Sequence, residues 1–198
     1  MHRRKFIKIT IPLALAPGVT AGKHDRPEFS YGVIADPQYA DYPAKGSRHY
    51  RRSLGKLKTC ILELNRHALD GVVTLGDVID RDFKSFSQIM PIYAGLKVPH
   101  KIVLGNHDFS VADQDKAKVL GALGLKVAYR SEVHGRWRFI YLDGTEVSVF
   151  RYPKSDPRTL EARAMMARLR AAGAAQAVAW NGGVSAQQLT WLRRELET

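Results

Sequence analysis

Apolar residues along the chain follow two spacings. Short runs, rich in Val, Ile and Leu, cover residues 31–34, 72–75 and 101–104, the first inside a strand predicted over 29–35. Runs of this length and composition read as buried strands of a parallel sheet. Between them the apolar positions recur at helical spacing. Leu54, Leu57, Ile61 and Leu64 share one face of a helix predicted over 53–68. Residues 82–96 predict a second helix, broken or bent near Pro91, and 111–123 a third, stopped by Gly124. Residues 127–130 and 136–142 predict a hairpin across 132–135. Two further helices are predicted over 159–172 and 185–196, the last opened by the capping pair Ser185 and Gln188. The alternation of strand and helix, without an internal repeat, predicts one α/β domain.

A polar block closes each of the first three strands. The blocks are Ala35-Asp36-Pro37-Gln38, Gly76-Asp77-Val78-Ile79-Asp80 and Gly105-Asn106-His107-Asp108. Open α/β sheets carry their sites at the carboxyl ends of strands, so the three blocks meet on one rim. Asp36 and Asp77 supply oxygen ligands for a hard divalent metal, and Asn106 adds a neutral oxygen. Asp77, in a tight Gly-Asp turn, is the candidate to bridge two ions that activate a water and clamp a phosphoryl oxygen. His107 is the candidate acid or charge stabiliser, with Asp108 as the carboxylate that fixes its tautomer. Taken singly, each block reads more plainly as a turn, an Asx cap or a loop start. Their order, each behind a strand, carries the functional reading.

Composition bounds this picture. The chain has 198 residues with 45% hydrophobic and 25% charged, enough for one soluble domain with a real core. Cys60 is the only cysteine, so an intrachain disulfide is excluded, and its apolar helical setting reads as a small packed hydrophobe. The formal charge of +12 falls to +8 without Arg3, Arg4, Lys5 and Lys8, and the remainder is scattered over helices. No basic strip interleaved with aromatics appears, so nucleic acid is not the expected partner; a positive field suits phosphorylated small molecules. His49, His67, His100 and His134 stand outside the blocks and read as surface or packing residues.

Residues 1–21 read as an address. Arg3-Arg4-Lys5-Phe6-Ile7-Lys8 precedes an apolar run over 9–16 and the small-residue exit Val19-Thr20-Ala21. The run is shorter than the ~20 residues needed to span a bilayer, and the paired arginines resemble a bacterial twin-arginine export signal. The expectation is export to the periplasm, or a cytoplasmic protein where the signal does not function. Residues 22–28 form a polar linker, and 29–198 the domain.

The three blocks in this order resemble the calcineurin-like metallophosphoesterases. Gln38 stands where that superfamily usually has His. With Tyr39-Ala40-Asp41 and Arg48-His49-Tyr50-Arg51-Arg52-Ser53-Leu54, it is similar to the manganese-dependent ADP-ribose/CDP-alcohol diphosphatases. So are Leu142-Asp143-Gly144 with Val147-Ser148, and Asn181-Gly182-Gly183-Val184 with Gln188-Leu189 and Trp191-Leu192. The resemblance implies an αββα sandwich and metal roles for Asp36, Gln38, Asp77 and Asn106. It implies a catalytic role for His107 and supporting roles for Asp80 and Asp108. Arg48, Tyr50 and Arg51 are candidates for gripping substrate. The implied cofactor is a pair of divalent ions: Mn²⁺ first, with Mg²⁺ or Fe²⁺ as alternatives. The implied substrate is nucleoside-diphosphate-linked; a broader phosphodiesterase or phosphatase is the alternative. The superfamily also has late histidine blocks, whereas the last histidine here is His134. The expectation is an incomplete sandwich, its N-terminal two-thirds, with weak metal binding alone: an inactive fragment, or one that needs a C-terminal partner chain.

Overall fold

The structure, a computed structural model, describes residues 29–197. The export signal expected over 1–21 and the linker over 22–28 lie outside the described residues. Strands β1 (Tyr31–Ile34), β2 (Gly71–Thr74) and β3 (His100–Ile102) form a parallel sheet in the order β1-β2-β3. Ile34 pairs with Thr74, and Thr74 with Ile102, so all three strands end level on one rim. β2 and β3 each begin one residue before their apolar runs and stop short of the runs' ends, whose last residues leave the ladder toward the site. Leu75 and Val103 still donate back to Ile34 and Thr74 at 2.8 and 3.0 Å.

Helix α1 (Ser53–Leu64), preceded by a 3₁₀ turn at Tyr50–Arg52, links β1 to β2 and buries Leu57 and Ile61. Its apolar stripe meets Ile34, Val72 and Ile102 of the sheet in one core with Phe86, Ile89 and Tyr93. Burying each such side chain contributes about 1.5–3 kcal/mol. Cys60 is partly buried against this core, and burial raises its thiol pKa, as expected of a packing residue.

The helix predicted over 82–96 is broken near Pro91: a short α2 (Ser85–Ile89) is followed by a 3₁₀ turn, Met90–Gly95. Pro91 has no N–H to give to the preceding turn and its ring crowds it, so the chain tightens there. Over 111–123, a 3₁₀ stretch (Asp113–Lys118) leads into the single turn of α3 (Val119–Ala122). The ion pairs Asp113–Lys116 and Asp115–Lys118, three residues apart, match the period of a 3₁₀ helix. Gly124 ends α3 at φ 71°, and Leu125 N–H donates to Leu120 O.

The hairpin forms in a shifted register. Strand β4 (Arg130–His134) occupies residues assigned above to the turn and pairs antiparallel with β5 (Trp137–Tyr141). The turn sits at Gly135, which takes φ 60°. Glu132 is drawn into the strand by Lys101 of β3, 2.8 Å away. Phe139 packs on Phe29 and Tyr31, with ring centroids 4.7 and 5.1 Å apart, and so lays the hairpin against the sheet.

Helix α4 (Pro157–Ala171) starts where Asp156 accepts from Arg158 N–H and Pro157 supplies the first-turn dihedral. Helix α5 (Ala186–Glu197) is capped by Ser185, whose Oγ accepts from Gln188 N–H at 3.1 Å. The Gln188 side chain does not complete the expected box. It is fully buried and holds both the N–H and C=O of Asp143, while Glu146 accepts from Ser185 N–H. Asp143 is itself buried and paired with Arg151 at 3.1 Å.

The architecture is a mixed α/β fold with a parallel sheet and flanking helices. Among the described residues, the second sheet expected of a full sandwich amounts to β4-β5. Val33 and Leu75, beside the rim, are 57% and 51% exposed. Among the described residues no helix is long and apolar enough to cross a membrane.

Candidate active site

The rim is built by loops that keep pairing after their strands stop. Gln38 N–H donates to Asp77 O, Tyr39 N–H to Val78 O, and Asp80 N–H to Tyr39 O. This zips the first two polar blocks together. The backbone there is left-handed at non-glycine residues: φ is 51° at Asp36, 44° at Gln38, 51° at Asp77 and 72° at Arg81. Such dihedrals cost energy and persist only where the surroundings impose them. Gly76 and Gly105 allow the second and third blocks to touch. A Cβ on Gly76 would lie 2.5 Å from Gly105 N, and one on Gly105 would lie 2.2 Å from Asp77 Oδ1.

Three expected metal donors converge. Gln38 Nε2 lies 3.4 Å from Asp36 Oδ1 and 3.3 Å from Asp77 Oδ2, between two carboxylates where a cation would stand. Asp77 Oδ1 is turned the other way and accepts from His107 N–H at 2.8 Å. Burial raises the Asp77 carboxyl above its ordinary pKa, and the Asp36 charge adds to the rise, against the pull of His107 and Gln38. Asn106 opens the 3₁₀ turn His107–Phe109, and its side chain makes no capping bond there. Among the described residues no three His, Cys, Asp or Glu side chains converge as a metal cage. The set is two carboxylates completed by carboxamides. Rotating the Gln38 amide half a turn presents oxygen beside both carboxylates. The donors therefore fit an oxygen-preferring divalent cation such as Mn²⁺ or Mg²⁺ better than a thiophilic one.

His107 is at the site, but its carboxylate partner is not Asp108. Its Nδ1 lies 3.2 Å from Asp80 Oδ1, out of line for a hydrogen bond, and both Nδ1 and Asp80 Oδ2 are buried without one. The Asp80 carboxylate raises His107 above its ordinary pKa, with Asp77 adding to the effect. Burial pushes Asp80 up, but His107, Arg81 and Arg48 outweigh it and hold the carboxyl below the usual range. Asp108 is fully buried behind the loops. It accepts from the N–H groups of Asp77, Val78, Ile79 and Gly105 at 2.7–3.3 Å. Burial pushes its carboxyl up to about 7 despite those bonds. It organises the backbone that carries Asp77 and does not touch the imidazole tautomer.

The expected substrate-gripping residues divide. Arg48 is at the site, 3.7 Å from Asp80 Oδ2. Arg51 is held at 2.6 Å by Asp41 on the surface. Tyr50 is 2% exposed, and its hydroxyl accepts from Arg81 Nη2 at 3.0 Å, so it is a packing residue and offers no free ring face. Arg81, which sequence reasoning missed, lies over the rings of Tyr42 and Tyr50 at 4.3 and 5.1 Å. Beside the donors opens a cleft of about 190 Å³ lined by Asp36, Gln38, Arg48, His49, Ser53 and Lys56.

The chain has relatives among known proteins. The family model for calcineurin-like phosphoesterases matches residues 29–167. A manganese-dependent ADP-ribose/CDP-alcohol diphosphatase of Oryza sativa subsp. japonica is 26% identical over 93% of the chain and 66% of its own length. The Mus musculus protein of that name is 30% identical over 86% of the chain and 62% of its length. A crystal structure of a dimetal phosphatase from Danio rerio superposes with a TM-score of 0.72 at 24% identity, over 85% of this chain and 65% of that one. The chain thus spans less than two thirds of the length of these relatives. With the strand-end blocks and the family match in agreement, the chain belongs to the calcineurin-like phosphoesterase family.

Proposed function

We propose that this chain holds divalent metal, Mn²⁺ foremost, on Asp36, Gln38, Asp77 and Asn106, and hydrolyses a diphosphate bond in a nucleotide-linked substrate such as ADP-ribose or a CDP-alcohol. The observation that carries this reading is the convergence of Asp36, Gln38 and Asp77 beside a His107 backed by Asp80. The names of the relatives support the substrate class, and two ions sharing Asp77 are the fuller form of the reading. Bound metal would supply Lewis-acid polarisation of a phosphoryl oxygen and a lowered pKa for attacking water. The protein's own groups supply the rest. His107 turns Nδ1 to Asp80, which leaves Nε2 as the nitrogen that reaches substrate. Its raised pKa favours the protonated form, the form that can give a proton to the bridging oxygen as the P–O bond breaks. Water adds to the phosphorus, and the products are two monophosphates. Arg48, beside Asp80, adds a planar cation suited to phosphate oxygens.

A second reading has its own observation. The donor set is two carboxylates and two carboxamides, so affinity for metal is low and full activity requires imidazoles from a second chain. One experiment separates the two. The purified chain is titrated calorimetrically with MnCl₂ and assayed on ADP-ribose, CDP-choline, bis-p-nitrophenyl phosphate and p-nitrophenyl phosphate. Saturable Mn²⁺ binding with release of AMP or CMP, both abolished in Asp77→Asn, supports the diphosphatase. Turnover confined to the nitrophenyl esters assigns a broader phosphoesterase, and weak binding without turnover assigns the partner-dependent fragment. We further propose export by the twin-arginine route. Unchanged fractionation of Arg3→Lys/Arg4→Lys would overturn that.

A further inference from the structure

We propose that Lys56, with Ser53, forms a subsite for the second, non-reacting phosphate of a diphosphate substrate, and so discriminates diphosphates from monophosphates. The inference rests on the diphosphatase reading above and assigns the part of that site which holds the far half of the bond. A diphosphate brings two anionic groups within one bond of each other. The metal donors and His107 answer the charge of the phosphorus under attack. The other phosphate requires a cation of its own beside Asp36 and Gln38.

The other cations near the rim have other duties. Arg48, beside Asp80, is assigned above to the phosphate under attack, and Arg51 is clamped by Asp41. Arg81 is spread over Tyr42 and Tyr50 and hydrogen-bonded to Tyr50, and Lys84 is paired with Asp82 at 3.3 Å. Lys56 is different: it is exposed, and it has no ion pair or hydrogen bond among the described residues. It lies on the first turn of α1, one turn after Ser53, and both side chains line the 190 Å³ cleft with Asp36, Gln38 and Arg48. The same two residues also border a second cleft of about 260 Å³, walled by Val33, Ile34, Leu57 and Cys60. Lys56 and Ser53 therefore stand where a polar cleft beside the metal donors opens into an apolar groove. A phosphate held there has an ammonium and a hydroxyl to bond, with its esterified group directed into the groove. Lysine suits the task as a compact charge on a flexible stem, which follows the phosphate without demanding planar geometry.

The test is equilibrium binding to the full chain in saturating MnCl₂, with AMP and α,β-methylene ADP as the monophosphate and diphosphate probes. The wild type is expected to prefer the methylene diphosphate by about tenfold, the low end of what a hydrogen bond to a charged group contributes. Lys56→Gln is expected to abolish that preference while AMP affinity, Mn²⁺ affinity and the unfolding temperature stay unchanged. Lys56→Arg is expected to retain it. A preference that survives in Lys56→Gln overturns the proposal, as does a wild type that binds both probes equally. Failure of the wild type to bind either probe when Mn²⁺ is present overturns the diphosphatase reading itself, and this inference with it.

Discussion

At the scale of single residues, two aspartates that look interchangeable in the sequence have separate duties. Asp108 gives each oxygen to two backbone N–H groups, Asp77 and Gly105 on one, Val78 and Ile79 on the other. Asp108→Asn keeps one acceptor oxygen and turns an amide NH₂ toward two buried donors. At ~1–3 kcal/mol per unsatisfied group, the expected loss is about 3 kcal/mol, read as a lower urea midpoint together with weakened Mn²⁺ binding. Asp80→Asn should leave the fold intact and act chiefly on His107, while also releasing Arg48. Removing the carboxylate returns the imidazole from its raised pKa toward its ordinary value, so the basic limb of kcat/KM moves to lower pH. The stability contribution of the pair follows from the same shifts. The His107 part is complete below pH ~6.5 and fades as pH climbs through the raised folded value, whereas the Asp80 part is complete above pH ~3.9 and fades as pH falls through the lowered one. Adjacency in the chain suggested Asp108 as the partner of His107. The 3₁₀ turn at His107–Phe109 sends neighbouring side chains in different directions, and the pattern of residue types carries no sign of that turn.

At the scale of elements, most of what was legible came from periodicity that the core enforces. The three parallel strands and α1 appear within a few residues of their predicted bounds because each has a single apolar face or run to bury, whereas α4 was legible from its Ala- and Arg-rich composition and α5 from its Ser185 cap. The misread elements are those where local chemistry outweighs the pattern: the Asp–Lys pairs before α3, and Glu132 pulled into β4 by Lys101. His100 shows how such local terms bind elements together. It opens β3, stacks on Tyr93 with centroids 4.4 Å apart and meets Thr74 Oγ1 of β2 at 2.8 Å. Burial lowers its pKa to about 4. Protonation therefore favours the unfolded chain, whose imidazole titrates near pH ~6.5. The His100 contribution to stability should decline as pH falls from about 6.5 toward 4 and flatten below, where both states are charged. Asp108, whose carboxyl is pushed up to about 7, contributes the opposite slope over much of the same interval. His100→Phe, which keeps the ring stack and removes the titration, should therefore gain stability at the acid end of the interval relative to the neutral end, compared with the parent, in urea midpoints. The same pH dependence in parent and variant would show that His100 does not contribute to it.

At the scale of the whole molecule, the candidate site is where three separate stretches of chain are held together by polar contacts rather than by core packing. Leu57, Ile61, Val72 and Ile89 secure the body below the rim, but Asp36 and Gln38 reach Asp77 only through paired loops in strained dihedrals. The charge there is unbalanced locally: two carboxylates converge, one of them with its pKa raised by burial and by the other's charge. A cation that binds this arrangement and not the unfolded chain must stabilise the fold, by about 2.7 kcal/mol at a concentration a hundredfold above its Kd. For a domain of this size that corresponds to a rise of roughly 5–10 °C in unfolding temperature. Mn²⁺ is expected to give the larger rise, Mg²⁺ a smaller one, and a chelator should reverse either. Asp36→Asn and Asp77→Asn should each remove most of the effect while relieving the repulsion between the carboxylates, so the metal-free variants unfold no lower than the metal-free parent. The gain should also shrink as pH falls through the raised Asp77 value, because protons then compete with the metal for the same oxygens. Calorimetric scans of parent and variants with and without MnCl₂ read all of these outcomes. An equal rise in parent and Asp77→Asn would place the metal elsewhere on the protein.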